Sequence, residues 1–156
     1  MSIKFVVATE SDAEVIAKFV IKLTEEICVT TNATFFSINF EETLERCREL
    51  IRHKHYGAII GYMADQPIAI STFTESYALY AGGKIGIIPE FYIDPGHRSS
   101  GVGTKLIAAV KEYGRDHGWS CIELCTPPLP EFERTLAFYQ KSGLIPVGGR
   151  KMRQYL

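Results

Sequence analysis

The segment 94–104, which reads DPGHRSSGVGT, holds the residues whose types and spacing best suit chemistry. Gly101 and Gly103 stand where a helical pattern begins, and the first turn of a helix leaves several backbone N–H groups unpaired at the positive end of the helix dipole. Small residues allow an anion to approach those groups, and Arg98 adds a charge-assisted donor. We therefore expect this segment to bind a phosphate or diphosphate.

The same segment differs from the phosphate-binding loop of common nucleotide hydrolases. That loop has a lysine directly after the second glycine of G-x-x-x-x-G-K, whereas here Gly103 is followed by Thr104 and only then by Lys105. A nucleotide hydrolase, which would bind ATP with magnesium, is therefore disfavoured.

Other reactive side chains are weaker candidates for a site. His53 and His55 lie at the end of a predicted helix without a nearby set of carboxylates or cysteines, so no metal site is assigned. Cys125 ends a strand pattern, and strand cysteines are usually buried and unreactive, which disfavours a thiol nucleophile. The cysteines form no C-x-x-C pair, and we expect them to be reduced.

Composition limits the class of protein. A chain of 156 residues suits one domain, 1–156, and 46% hydrophobic with 22% charged residues is typical of globular proteins. The formal charge of -1 gives no attraction for a polyanion, so no nucleic-acid partner is expected. The apolar runs are too short to cross a bilayer and no signal peptide is evident, so we expect a cytoplasmic protein that does not bind membranes.

The elements that must position the phosphate segment alternate between helices and strands, which indicates an α/β or α+β domain. Ser11 and Glu14 form a predicted capping box for a first helix that ends near Thr30. Asn39 and Glu42 are expected to cap a second helix.

After these helices the spacing of apolar residues changes from the 3.6-residue period of a helix to the two-residue period of a strand, and later returns to the helical period. These patterns predict strands at 3–8, 57–64, 67–75, 85–94 and 121–126, a loop at 77–84, helices at 102–117 and 130–142, and a closing hairpin of 144–148 with 150–155. The second and third strands should form an antiparallel hairpin. Pro89 interrupts the fourth strand, because proline lacks the N–H that a sheet ladder needs.

Two separated motifs resemble those of the GNAT family of N-acetyltransferases. Residues 98–103, RSSGVG, are similar to the family's R/Q-x-x-G-x-G/A signature, and the preceding 91–95, FYIDP, is similar to its apolar strand and proline. Residues 136–144, LAFYQKSGL, are similar to its F-Y-x-x-x-G-F segment. The order of elements also matches, so the resemblance covers essentially the whole chain. It implies a GNAT-like fold, with a central mixed, mostly antiparallel sheet of about six to seven strands flanked by about four helices.

The resemblance implies an enzyme that moves an acetyl group from acetyl-CoA to a primary amine by direct attack in a ternary complex. It places acetyl-CoA on Phe91, Tyr92, Ile93, Arg98, Ser99, Ser100, Gly101, Val102, Gly103 and Thr104. The Ile93 N–H would stabilise the developing negative charge, and Tyr139 occupies the position of a phenol that protonates the leaving thiolate. Glu90 is our candidate for the base, although a structural hydrogen bond is an equally good interpretation of this residue.

The acceptor, a small molecule or peptide amine, is expected near the first interhelical loop. Candidate contacts are Glu25, Glu26 and Phe36, together with Tyr80, although a solvated helix face also explains the two glutamates. Phe132 stands where many family members have asparagine, which keeps open an alternative function as a CoA-binding regulatory module with little or no turnover. A homodimer that pairs the closing hairpins is the default assembly.

Overall fold

The structure is a computed structural model that describes residues 2–32 and 39–156. The chain divides into two compact units, Met1–Cys125 and Thr126–Leu156. The helices and strands are β1 (Lys4–Val7), α1 (Ala13–Thr31), α2 (Phe40–Arg52), β2 (Gly57–Met63), β3 (Gln66–Ala78), β4 (Gly83–Ile87), β5 (Phe91–Ile93), α3 (Val102–Asp116), β6 (Ile122–Glu123) and α4 (Glu133–Lys141). All six strands belong to the first unit and α4 belongs to the second.

The strands form one mixed sheet in the order β1-β2-β3-β4-β6, with β5 also paired to β3. All pairs are antiparallel except β4 with β6. The predicted hairpin of β2 and β3 is confirmed, and its two-residue turn places Ala64 and Asp65 at positive φ, the geometry that suits the twist of paired strands. The sequence prediction of an α/β class with a mostly antiparallel sheet is confirmed.

Helices α1 and α2 cover one face of the sheet. Their apolar residues Ile16, Phe19 and Leu44 join Ile60 and Ile70 of the sheet in one buried cluster. The Asn39 cap of α2 is confirmed, because its side chain accepts a hydrogen bond of 3.1 Å from the Glu42 N–H. Burial of these apolar side chains is what fixes α1 and α2 on the sheet.

The opposite face of the sheet packs against α3. Phe73 lies three residues after Ile70 on β3 and therefore points to this other face. Its ring contacts those of Tyr113 and Trp119, with ring centroids 4.5 Å and 5.4 Å away. The predicted helix at 102–117 is confirmed, and Gly118 follows it at positive φ as a helix stop.

Several predicted boundaries are wrong. The capping box at the start of the first helix joins Thr9 to Asp12 rather than Ser11 to Glu14, because a short 3-10 turn precedes α1. Most of the predicted 77–84 loop is structured, since β3 extends to Ala78 and pairs with β4. The predicted strand 85–94 is two strands, β4 and β5.

The C-terminal predictions were too long. Helix α4 begins at Glu133 instead of at Pro130, and β6 spans only two residues of the predicted 121–126. The closing hairpin of 144–148 with 150–155 is absent, because residues 144–156 contain no helix or strand. Side chains such as Ile145 and Met152 are exposed there, so the alternating pattern buries no apolar face that could hold two strands together.

Of the helices in residues 2–32 and 39–156, none has both the length and the apolar character needed to cross a membrane.

The Trp119 indole packs against β4, which comes before the phosphate segment in the chain. This packing requires glycine at two positions. A Cβ at Gly86 of β4 would lie 2.2 Å from the indole, and one at Gly114 of α3 would lie 2.5 Å from it. The glycines therefore let the indole fit between β4 and α3.

We expect Gly86→Ala to lower the free energy of unfolding by about 1–3 kcal/mol, because the added methyl group overpacks this contact. Urea unfolding measures the change. Gly96→Ala is the matched control, since no atom lies within 4 Å of a Cβ placed there. Equal stability of the two variants would contradict the argument.

Candidate active site

A bulge separates β4 from β5 on the same edge of β3. Thr74 faces Ile87 and Ser71 faces Phe91, so three steps along β3 correspond to four steps along the opposite chain. The extra residue lies within Ile88, Pro89 and Glu90, opposite Thr72. Pro89 cannot donate to the ladder, which favours the irregularity at this position.

The bulge is held by reciprocal hydrogen bonds between Thr72 and Glu90. The Thr72 N–H donates to the Glu90 carbonyl at 2.9 Å, and the Glu90 N–H donates to the Thr72 hydroxyl at 3.0 Å. Both backbone groups therefore have partners although the regular ladder is broken here.

Strand β5 diverges from β6 beyond the bulge. The last bond between the neighbouring strands runs from the Ile88 N–H to the Glu123 carbonyl at 2.9 Å, and within the described residues β5 pairs with β3 alone. Because Glu90 and Asp94 direct their backbone groups to β3, the backbone groups of Phe91 and Ile93 point to the other side, into the gap. The arrangement presents a strand edge to an incoming ligand.

The Glu90 side chain points towards α1 and α2. Its Oε2 accepts hydrogen bonds from the Tyr56 and Thr72 hydroxyls. Its Oε1 has no partner among residues 2–32 and 39–156. Burial raises the pKa of Glu90 above its ordinary value, and the two hydrogen bonds partly oppose that change by stabilising the carboxylate.

A cavity of about 390 Å³ lies between α1 and α2 and reaches Glu90. It is lined by Ile16, Ala17, Val20, Asn39, Glu42, Thr43, Arg46, Cys47, Leu50, Tyr56 and Glu90. Burial, reinforced by the Glu90 charge, raises the pKa of the Cys47 thiol to about 11, so the thiol is neutral at physiological pH. Glu90 is therefore a carboxyl group that a ligand in this cavity could contact.

The phosphate segment lies at the start of α3. Gly101 is the N-cap of α3 at φ 84°, and the first bond of this helix runs from the Lys105 N–H to the Gly101 carbonyl. Consecutive backbone N–H groups from Ser99 to Thr104 have no hydrogen-bond acceptor among the described residues. No atom lies within 4 Å of a Cβ placed on Gly101, so there is room for an anion next to these donors.

The Arg98 guanidinium binds protein groups. It donates to both Glu26 carboxylate oxygens, at 2.7 Å and 2.8 Å, and its Nε donates to the Ile93 carbonyl at 2.8 Å. It also lies over the Tyr92 ring at 5.3 Å. Arg98 and Glu26, which we had expected to bind phosphate and acceptor respectively, therefore pair with each other and join α1 to β5.

Glu25 and Tyr80 are not among the residues that line the Glu90 cavity. Glu25 is exposed, and Tyr80 is exposed with its hydroxyl 3.0 Å from a carboxylate oxygen of Glu123. Phe36 lies outside the described residues. Tyr139 belongs to the second unit, where it is buried in α4, and burial raises the pKa of its phenol.

Sequence reasoning missed Tyr56 and Thr72. Ser71 and Thr72 interrupt an otherwise apolar strand, and both are fully buried. Buried hydroxyls need hydrogen-bond partners, so this polar pair was a usable signal of a site on β3. The sequence around Tyr56 does not indicate a site, because its hydrogen-bond partner Glu90 lies 34 residues away in the sequence.

Sequence comparison settles the family. The sequence model described as the acetyltransferase (GNAT) family matches residues 21–144. The chain belongs to this family. A search of curated protein sequences found no match.

Solved structures show the same fold as this GNAT acetyltransferase. A possible acetyltransferase from Clostridium difficile 630 is 16% identical, with a TM-score of 0.81 over 100% of this chain and 99% of that one. A ribosomal-protein-alanine N-acetyltransferase from Brucella melitensis biovar Abortus 2308 is 15% identical, with a TM-score of 0.75 over 99% and 100%. An aminoglycoside N-acetyltransferase in complex with CoA is 15% identical, with a TM-score of 0.79 over 99% and 95%.

Family membership makes the protein an acyltransferase that uses acetyl-CoA as its cosubstrate. The sequence prediction of family, enzyme class and cosubstrate is thereby confirmed.

Tyr56→Phe should raise the pKa of Glu90 further in this acetyltransferase, because it removes one of the two hydrogen bonds that stabilise the carboxylate. Since a bond to a charged group contributes about 1.5–3 kcal/mol, we expect a rise of about 1–2 pH units. Carboxyl ¹³C shifts of labelled glutamate, followed through a pH titration, measure it. Tyr62→Phe on β2 is the control, and an unchanged Glu90 titration in Tyr56→Phe would refute the hydrogen bond.

Proposed function

We propose that the protein is an N-acetyltransferase that transfers the acetyl group to a primary amine by direct attack within a ternary complex. The observation that carries the proposal is the position of Glu90, which is anchored through Oε2 and leaves Oε1 open towards a cavity. We also propose that residues 1–156 act as one acetyltransferase domain. The coverage of both chains in the structural comparisons supports this proposal.

The gap and the phosphate segment suit the two parts of acetyl-CoA. Pantetheine is an extended arm with amide groups, and we expect it to lie along Phe91 and Ile93 as an added strand would. The Ile93 N–H is the donor on this edge, because the Ile93 carbonyl accepts from Arg98. The unpaired N–H groups at the start of α3 suit the diphosphate. The proposed cosubstrate site is Phe91, Tyr92, Ile93, Arg98, Ser99, Ser100, Gly101, Val102, Gly103 and Thr104.

In several residues of the proposed cosubstrate site, the side chain and the backbone have different roles. The side chains of Tyr92 and Val102 are buried. Only the backbone of Val102 would face a ligand, whereas the backbone of Tyr92 pairs with Ile70 of β3 and Tyr92 acts by holding the strand in place. The Arg98 side chain holds the Ile93 carbonyl, and in this way it fixes the orientation of the strand that receives the thioester. The Ile93 N–H is the proposed donor to the thioester oxygen, where negative charge develops.

Glu90 would remove the proton from the attacking amine. A primary amine with a pKa of about 10.4 is almost entirely an ammonium ion at pH 7, and its deprotonation costs about 4.6 kcal/mol. The raised pKa of Glu90 narrows the difference between base and ammonium, which makes the carboxylate a better proton acceptor.

Glu90→Gln tests the proposed base. We expect thiol release from acetyl-CoA in the presence of an amine to fall by about 10²–10⁴-fold. In the wild type, kcat/KM should fall as the pH drops through a value above 4.5, because protonation inactivates a base whose pKa is raised. This acid limb should disappear in the variant.

The control for Glu90→Gln is Glu75→Gln, which changes a hydrogen-bonded glutamate of β3 outside the cavity. If Glu90→Gln retains both the rate and the acid limb of the wild type, Glu90 is not the base and serves only as a structural partner of Tyr56 and Thr72.

Tyr139 is the proposed acid that protonates the leaving thiolate. The phenol is protonated throughout the physiological range, which is the form an acid requires. Burial raises its pKa and so weakens it as a donor, which means that the role depends on close positioning against the sulfur. Tyr139→Phe should lower kcat by about 10–100-fold, a smaller loss than for the base because a thiolate with a pKa of about 8.5 leaves readily. Steady-state kinetics with Tyr155→Phe as control test this role, and an unchanged kcat would remove it.

The acceptor contacts and the assembly are also proposals. Among the four predicted acceptor residues, Glu26 is engaged by Arg98 and Tyr80 by Glu123, so the cavity next to Glu90 is the better candidate for the acceptor site. A homodimer stays a prediction, and its expected hairpin does not form in the structure.

A further inference from the structure

Two opposite charges lie on one face of α2 at the mouth of the Glu90 cavity. Glu42 and Arg46 are four residues apart, and both line the cavity. Both are exposed, and neither forms an ion pair with the other or with another described residue. Nearby charges on the same helix do pair, since Arg48 binds Glu45 and Arg52 binds Glu10. The cavity mouth therefore offers a carboxylate and a guanidinium that are available to a ligand.

The wall between this pair and Glu90 is apolar. Ile16, Ala17 and Val20 of α1 face Cys47 and Leu50 of α2 across the cavity. Apolar walls of this kind bind hydrocarbon, and the polar groups at the two ends orient it. A matching ligand carries an apolar stem with polar groups at both ends.

The spacing suits a short stem. Cys47 and Glu90 line the same cavity, which places the carboxylate across it from that turn of α2. Glu42 lies five residues earlier, about 7.5 Å along the helix axis. That length is comparable to the four-carbon stem of a lysine side chain.

The volume also favours a small ligand. A cavity of about 390 Å³ corresponds to about 13 water molecules at their volume in the liquid. One amino acid fits with a few waters, whereas a folded polypeptide does not enter.

We propose that the acceptor is a free basic amino acid of the lysine or ornithine class, a proposal that rests on the proposed function. Arg46 binds its α-carboxylate, Glu42 binds its α-ammonium, and its side-chain amine reaches Glu90 Oε1. Each charge at the mouth then meets an opposite charge on the ligand.

The reaction balances with groups already named. The ammonium gives one proton to Glu90, and the neutral nitrogen bonds to the acetyl carbon as the carbon–sulfur bond breaks. The second proton leaves the nitrogen to solvent, and the thiolate takes a proton from Tyr139. Tyr139 then regains a proton from solvent and Glu90 releases its proton to solvent, so that one proton is released per turnover. The products are the side-chain N-acetyl amino acid and CoA.

The test compares amines that each lack one group of lysine. Thiol release at saturating acetyl-CoA is measured with lysine, ornithine, cadaverine, 6-aminohexanoate and norleucine. We expect KM for cadaverine, which lacks the carboxylate, and for 6-aminohexanoate, which lacks the α-amine, to exceed that for lysine at least tenfold. Norleucine should release no thiol, and mass spectrometry should place the acetyl group on the side-chain nitrogen.

Variants of α2 identify the residues responsible. Arg46→Gln should raise KM for lysine at least tenfold, change kcat little and reduce the preference for lysine over cadaverine. Arg48→Gln is the matched control, an exposed arginine of the same helix that pairs with Glu45. Glu42→Gln should reduce the preference for lysine over 6-aminohexanoate.

The results distinguish failure of the amino-acid proposal from failure of the proposed function. Equal use of lysine and cadaverine by the wild type, or equal effects of Arg46→Gln and Arg48→Gln, would overturn the amino-acid proposal. Acetylation of other primary amines but not of lysine or ornithine would also overturn it while leaving the proposed function intact. If acetyl-CoA raises Tm but no amine of any class releases thiol, the proposed function itself fails.

Discussion

The one-residue bulge opposite Thr72 is the constraint on which the rest of the site depends. It interrupts the ladder where Pro89 could not have donated to it, and it directs β5 away from β6. Glu90 lies two residues before Tyr92, so it shares with Tyr92 the face of the sheet that α1 and α2 cover. The irregularity therefore separates β5 from β6 next to the strand end that carries the Glu90 carboxyl into the cavity.

Helix α1 connects the two halves of this site. Near its C-terminal end, Glu26 binds Arg98, and Arg98 in turn holds the Ile93 carbonyl. Nearer its N-terminal end, Ile16 and Val20 form the wall of the cavity. A partly buried bidentate pair has a more defined geometry than an ordinary surface ion pair, so movement of α1 on the sheet would alter segment 94–104 and the Glu90 cavity together.

Features with local causes were predictable from the sequence. The Asn39 cap, helix α3 and the glycine at its start depend on neighbouring residues, and all three were located correctly. Features that depend on distant partners were not. The pairing of Arg98 with Glu26 spans 72 residues, and neither local sequence indicates it. The closing hairpin failed for a related reason, because alternation predicts a strand only where an apolar face finds a surface to cover.

The surroundings of the Glu90 carboxylate could not be predicted from the sequence, which left a base and a structural hydrogen bond as equal interpretations. As a free side chain Glu90 would be an acid with an ordinary pKa, and only burial raises that pKa towards the range where a base is useful. Complete burial without partners would keep the carboxyl protonated and unable to accept a proton. The hydroxyls of Tyr56 and Thr72 prevent this by binding one oxygen, while the other stays open to the cavity. One oxygen is held and one is available because of Thr72 on β3 and Tyr56 directly before β2, two residues that no short motif connects.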